Sequence, residues 1–252
     1  MSVSHGGDRP ILRPGDYLSF LEDAGLVDRE SWPAELTISI GPARTSQWNR
    51  LRRSERRSVS TPWGKLRNPG GRRGHLTTPL MGGAAMASLA ELVFEAGTER
   101  IVLVGSCGSL IPGYGPGDVV VVDSALATEG PAAAYGQGPI VEGSAELAAD
   151  VAARLAGPGT GLGHVDVVRS WTVAVPFLTT ADLRDIAVSS NARVVEMEAA
   201  SLFAVATHRR AEAVVVGIVA DGLDGSEWAA PDLPTVGARL DEVLALLLGD
   251  GT

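Results

Sequence analysis

The strongest constraint on this chain is a set of apolar runs, each ending at a glycine or an acid. Ile101-Val102-Leu103-Val104 runs into Gly105, Val119–Val122 into Asp123, and Ala213–Ala220 into Asp221. A strand with one face in water alternates apolar and polar residues, whereas a strand covered on both faces need not. These runs therefore predict a buried sheet with helices on both sides. Helical spacing follows in the intervals. Met86, Leu89, Ala90, Val93 and Phe94 recur on one face of Ala84–Ala96, with Gly97 placed to end that helix. Further helices are expected at Ala145–Leu155, Ala181–Ser189, Ala199–His208 and Leu240–Leu248, and further strands at Leu36–Ile40, His75–Leu80, His164–Val168 and Arg193–Val195. This alternation predicts a single α/β domain over 1–252, built on a central mixed, largely parallel sheet flanked by helices. Ligands in such folds gather at the carboxyl ends of strands, where the glycines and acids of this chain lie.

Charge and composition narrow the function. Residues 1–75 hold 13 Lys and Arg against 8 Asp and Glu, a net +5, and the remainder holds 8 against 22, a net −14. The overall −9 argues against nonspecific nucleic-acid binding, which depends on many phosphate contacts. The basic excess peaks at Arg50–Arg57. That segment reads either as a solvated basic surface or as a site for an anion or a neighbouring subunit. The single Cys107 excludes a disulfide framework and a cysteine-based zinc cluster. His164 and His208 lack metal-ligand spacing to each other or to His75, so no metal site is expected. No apolar run reaches the roughly 18 residues of a membrane helix, and the first residues lack the apolar centre of a signal peptide. A cytoplasmic protein with no membrane partner is the expectation.

Four segments carry polar or glycine residues directly after apolar strands. Gly105-Ser106-Cys107-Gly108-Ser109 combines small residues, which let backbone N–H groups approach an anion, with a hydroxyl donor; it also reads as a tight strand-to-loop turn. Glu196-Met197-Glu198 opens an apolar helix. The helix dipole accounts for one acid there better than for two. A carboxylate can accept hydrogen bonds from two adjacent sugar hydroxyls, and a methionine can pack on the apolar face of a sugar ring. Asp221 ends a buried strand, a position that suits a general acid but equally a turn cap. Thr128-Glu129-Gly130, with Tyr135 close behind, reads as a loop.

Taken together and in this order, these segments resemble the purine nucleoside phosphorylase and uridine phosphorylase family. The resemblance runs from about Gly70 to Trp228, through GRRGHLTTPLMGGAAMASLAELVFEAG, RIVLVGSCGSLIPGYGPGDVVVVDSALATEG, VVEMEAASLFAVA and VVGIVADGLDGSEW. It leaves 1–69 as a divergent basic N-terminal part. It implies one α/β domain, usually assembled as a homo-oligomer (dimer, trimer or hexamer), that cleaves the bond between ribose C1′ and a nucleobase nitrogen. Inorganic phosphate is then the co-substrate and no further cofactor is needed. By this resemblance Glu198 holds the ribose hydroxyls with Met197 behind the sugar. Ser106, Gly41 and Arg44 contact phosphate, Phe177 and Glu196 lie at the base, and Asp221 protonates or hydrogen-bonds the purine N7. Asp221 tilts the expected substrate toward purine-like bases. Glu198 and Asp221 are thus expected to face one cavity sized for a nucleoside.

The chain also departs from the family pattern. Leu103 stands where phosphorylases commonly carry a phosphate-binding arginine. Gly41-Pro42-Ala43-Arg44 is one residue shorter than the family's Gly-Asp-Pro-x-Arg. Val173 and Val175 in WTVAVPF make the base pocket more apolar than usual. Leu103 opens the alternative of a phosphate-independent nucleosidase. The altered base and phosphate segments open that of a noncatalytic nucleoside-binding protein. An arginine of Arg50–Arg57, reaching a neighbouring subunit's site, is the candidate to replace the missing cation.

Overall fold

A computed structural model describes residues 10–40, 58–128, 130–225 and 228–249. Gly41, Arg44 and the arginines of 50–57 lie outside the described residues.

The described strands form one mixed sheet. They are β1 (Glu35–Ile40), β2 (Ser58–Thr61), β3 (Gly64–Arg67), β4 (Arg73–Thr78), β5 (Arg100–Ser109), β6 (Val119–Ala127), β7 (Ile140–Glu142), β8 (Asp166–Thr172), β9 (Ala192–Glu196) and β10 (Glu212–Gly222). The helices are α1 (Pro14–Asp23), α2 (Gly83–Glu95), α3 (Ala145–Leu155), α4 (Ala181–Ser189), α5 (Ala199–Arg209) and α6 (Leu233–Leu248). Strands β5, β10, β6, β8 and β9 close into a ring, because β10 pairs with both β6 and β5; β1, β4, β3 and β2 continue outward from β5.

The apolar runs behave as their lack of alternation requires. Along β5, Ile101 and Leu103 pack into one core with α2 and α5, while Val104 packs into a second core with α3 and α6. Val215 and Val219 of β10 and Val120 and Val122 of β6 face the first core; Val214, Val216 and Ile218, with Val119 and Val121, face the second. Helix α5 is buried from Ala199 to Ala206, which explains why its residues are small or apolar all round.

Several elements run further than expected. Gly105–Ser109 is not a loop but the second half of β5. Its poor strand propensity is overridden by pairing with β10 along one edge and with β9 at Gly108 and Ser109. Helix α6 begins at Leu233 rather than Leu240, capped by the Asp232 side chain accepting from the Thr235 N–H at 3.2 Å. Helix α1 and the β2–β3 hairpin were not foreseen from the sequence. Among the described residues, no helix is long and apolar enough to cross a membrane.

Candidate active site

A fork in the sheet makes the site. One edge of β5 is lined by β10 throughout. The other edge is lined by β1 up to the Ser39–Val104 pair and by β9 only from the Val195–Gly108 pair. Between them Gly105, Ser106 and Cys107 have no strand neighbour on that edge among the described residues, and a crevice opens there. Where neighbouring strands diverge in this way, backbone N–H groups are left for a ligand. Ser106, Glu196 and Glu198 line a cavity at this fork, together with Ile40 of β1 and Leu103 of β5. Its volume is about 10 Å³, room for a single water. Among the described residues this cavity is far smaller than the nucleoside-sized enclosure expected between Glu198 and Asp221, and Asp221 is not part of its lining. Larger cavities of about 230 and 450 Å³ lie elsewhere, around Arg73 and Arg154 and around Asp123 and Arg193.

The two acids of Glu196-Met197-Glu198 do different work. Glu196 is 7% exposed and its carboxylate is fully engaged. Oε1 accepts from Ser170 Oγ at 3.0 Å and Thr172 Oγ1 at 2.5 Å, and Oε2 accepts from the N–H groups of Glu198 and Ala199, both at 2.6 Å. Thr172 Oγ1 also accepts from the Ala200 N–H at 3.0 Å, which leaves its own proton for Glu196. Burial pushes the Glu196 carboxyl up, and these four hydrogen bonds draw it back. Its oxygens are saturated by the first turn of α5 and by β8, so it positions that turn.

Glu198, 8% exposed, has no side-chain partner among the described residues. Its Oε1 accepts from the Gly82 N–H at 2.6 Å. Gly82 ends the break after β4 at φ +91°, a conformation that favours glycine, and so aims its N–H across the crevice. Burial, and then the neighbouring Glu196 charge, push the Glu198 carboxyl up to about 7, against the Gly82 and Met197 N–H groups that draw it down. The two carboxyls are coupled, both are raised by burial, and Glu196 carries four hydrogen bonds where Glu198 carries the Gly82 N–H. Met197 packs half-buried beside Trp171 and Val173.

Asp221 reaches the same end of the sheet. A bulge in β10 moves the register from Val219–Cys107 to Asp221–Gly108, and such a bulge re-aims the side chain that follows it. Asp221, Gly108 and Val195 then lie side by side on three adjacent strands, and Val195 is one residue before Glu196. A Cβ on Gly108 would lie 2.9 Å from Asp221 Oδ1, so glycine is what admits the carboxylate. Between the acids, Cys107 is buried, and burial, then Glu196 and Asp221, hold its thiol up and unreactive. Sequence reasoning missed Trp228, whose Nε1 donates to Asp221 Oδ2 at 2.6 Å. Its only signal was an indole seven residues beyond the acid.

The remaining expected residues divide. Ser106 joins Glu198 at the crevice. Phe177, on the turn Pro176–Leu178, is 96% exposed and is not brought against Glu198 or Asp221. Leu103, at 1% exposure, is core, and no cation replaces it among the described residues lining the crevice.

Residues 53–247 match the phosphorylase superfamily. The chain therefore belongs to that superfamily, whose members are enzymes acting on nucleosides. Comparison with curated protein sequences gives no match. Among solved structures, it is similar to the purine nucleoside phosphorylase of Toxoplasma gondii in complex with immucillin-H, with a TM-score of 0.70 and 15% identity over 87% of this chain and 92% of that one. It is also similar to the 5'-methylthioadenosine/S-adenosyl homocysteine nucleosidase of Campylobacter jejuni, with a TM-score of 0.66 and 14% identity over 85% and 97%. Both confirm the mixed α/β fold, and they stand on opposite sides of the choice between phosphate and water as nucleophile.

Proposed function

We propose that this protein cleaves the N-glycosidic bond of a purine-like nucleoside by phosphorolysis, releasing the base and ribose 1-phosphate. The observation that carries this reading is the fork at β5. It gathers a buried carboxylate, without a side-chain partner among the described residues, and a hydroxyl at the end of the sheet that Asp221 also reaches. Glu198 accepts hydrogen bonds from the two ribose hydroxyls, which fixes C1′ in place. Met197 walls the sugar's apolar face. As the base departs, positive charge grows on the ribose, and an anion held by Ser106 and by backbone N–H groups of β5 stabilises it. Asp221 gives a proton or a hydrogen bond to the base and so offsets the negative charge developing there. Gly41 and Arg44 are the further phosphate contacts in this reading, and the neighbour-directed arginine of 50–57 completes the anion site.

A second reading, hydrolysis, is favoured by one observation: the apolar Leu103 in the lining of the crevice, at the position where the resemblance implies a phosphate-binding cation. A panel of nucleosides assayed with and without phosphate separates the two. Phosphorolysis requires phosphate and yields ribose 1-phosphate; hydrolysis yields free ribose at the same rate without it. Tight nucleoside binding with no turnover in either condition would refute both and leave a binding protein.

A further inference from the structure

At the other end of the sheet from the crevice, the parallel strands β1, β4 and β5 begin with charged residues. Glu35 lies between Arg73 and Arg100 in the strand register, and Arg72 immediately precedes β4. The crevice opens after Val104 of the same β5, roughly 16 Å further along that strand. Beside these charges is a cavity of about 230 Å³, bounded by residues of β1, β5, α3 and α6. Leu36, Val151 and Leu247, all buried, give it an apolar wall. Arg72, Arg73, Arg100 and Arg154 also line it, four guanidinium groups around one cavity in a chain of net charge −9.

Three of the four are matched by acids. Glu35 accepts from Arg72 Nε at 3.1 Å and from Arg73 Nε at 2.7 Å, and Arg100 pairs with Glu212. The side chain of Arg154 makes no hydrogen bond or ion pair among the described residues. Burial and then the like charge of Arg73 pull its guanidinium below the usual range, against the opposite pull of Glu35. Its place is fixed by the end of α6: a Cβ on Gly249 would lie 3.1 Å from Arg154 Nη2. With Glu212 counted beside the lining acids Glu35 and Asp150, four guanidinium groups face three carboxylates. One positive charge is left over, and it suits a singly charged head. A guanidinium fork matches a planar carboxylate, as the hold of Arg72 and Arg73 on Glu35 already shows. We propose that this cavity binds a small organic carboxylate, its head between Arg73 and Arg154 and its apolar body against Leu36, Val151 and Leu247. The volume is the share of about eight waters at roughly 30 Å³ each, so the body is a short chain or a single ring. An exposed ion pair alone contributes little, and affinity comes from burying that body.

Isothermal titration of the full-length protein with acetate, butyrate, hexanoate, 1-hexanol and hexyl phosphate tests this. Affinity should climb with chain length, hexanoate binding about tenfold tighter than acetate or better. Hexanol, which has the body without the charge, should not bind measurably, and hexyl phosphate should bind no tighter than hexanoate. Arg154→Gln should weaken hexanoate about tenfold, and Arg154→Lys should restore only part of the loss. Arg154 is exposed and unpaired among the described residues, so the melting temperature without ligand should stay at the wild-type value. Leu248→Asn, in the same lining, should flatten the dependence on chain length and leave acetate unaffected. Glu198→Gln should bind hexanoate as the wild type does. Equal affinities for acetate and hexanoate would reduce the site to surface charge and overturn the proposal. So would hexanoate binding that Arg154→Gln leaves intact, or that Glu198→Gln weakens instead, which would place it at the crevice. Tighter binding of hexyl phosphate would overturn the singly charged head. None of these outcomes depends on whether the protein cleaves nucleosides, so the two readings stand or fall separately.

Discussion

Replacing Glu198 by glutamine separates what this residue does for folding from what it does for function, because the two effects have opposite signs. In the folded chain its carboxyl is held at about 7, against an ordinary 4.5. The unfolded chain therefore gives up the proton at lower pH, and the folded state becomes progressively less stable as pH rises from about 4.5 to about 7. Each pH unit in that window is worth about 1.4 kcal/mol, which makes the full cost of the buried charge about 3 kcal/mol. Glutamine has the same shape, can still accept from the Gly82 N–H, and carries no charge for Glu196 to repel. Glu198→Gln should be about 3 kcal/mol more stable than wild type at pH 8, and the advantage should shrink to under about 1 kcal/mol at pH 5. For a domain of this size that corresponds to roughly 6–12 °C in Tm at pH 8. Activity moves the other way. A carboxylate can accept from two ribose hydroxyls, and charged hydrogen bonds are worth about 1.5–3 kcal/mol each. Losing the charge and one acceptor should lower kcat/KM by about 100-fold. In the wild type, kcat/KM should rise with pH through about 7 as Glu198 ionises. Thermal melts at the two pH values, paired with steady-state kinetics, test this. An equal Tm change at pH 5 and pH 8, or a loss of kcat/KM below fivefold, would refute the reasoning.

Three further outcomes follow from individual contacts. Gly108→Ala places a Cβ 2.8 Å from Leu223 Cδ1 and 2.9 Å from Asp221 Oδ1; it should displace the acid, cutting kcat tenfold or more while costing about 1–3 kcal/mol in urea melts. Thr172→Val deletes a donor to Glu196 and an acceptor for the Ala200 N–H, so chemical denaturation should show a loss of about 2–4 kcal/mol, with the ribose affinity weakened as the first turn of α5 loosens. His75, buried and 2.8 Å from Ser39 Oγ, is held down to about 3 by burial and by Arg67. Stability from this group is therefore complete above about 6.5 and drains away as pH falls, by about 2 kcal/mol at pH 5, and the difference in melts between wild type and His75→Gln across pH 5 to 7 should show that slope.

Much of the fold was legible because burial on two faces leaves a local mark. The uninterrupted valines of β6 and β10 mark their strands whatever lies around them, and α3 and α4 fall where their apolar spacing places them. Other elements depend on partners far away in the chain. The glycines of Gly105–Ser109 become strand only because β10 and β9 pair with them, and no property of the segment itself announces those neighbours. The hairpin β2–β3 and helix α1 bury little, so their residues carry little pattern.

The same distinction governs the site. Glu196 and Glu198 are the same residue type two positions apart at one helix mouth, and nothing local separates their roles. What separates them is Ser170 and Thr172, on the same face of β8 and 24 or more positions earlier, which supply hydroxyls to one acid and not the other. Ser170 and Thr172, two polar residues two apart on either side of Trp171, were the available signal: a buried strand presents such a pair when something charged lies opposite. The consequence is mechanistic. Burial raises both carboxyls, four hydrogen bonds draw Glu196 back, and burial together with the neighbouring Glu196 brings Glu198 up to about 7. The first acid sets the second one's affinity for a proton, and the second is left to meet the sugar. Thr172→Val therefore bears on more than stability. By weakening the hold on the Glu196 anion it should let the pair share a proton, and the acidic limb of the kcat/KM profile should broaden relative to wild type. An unchanged limb would mean that the two carboxylates titrate independently, and that the division of labour drawn from their hydrogen bonds is wrong.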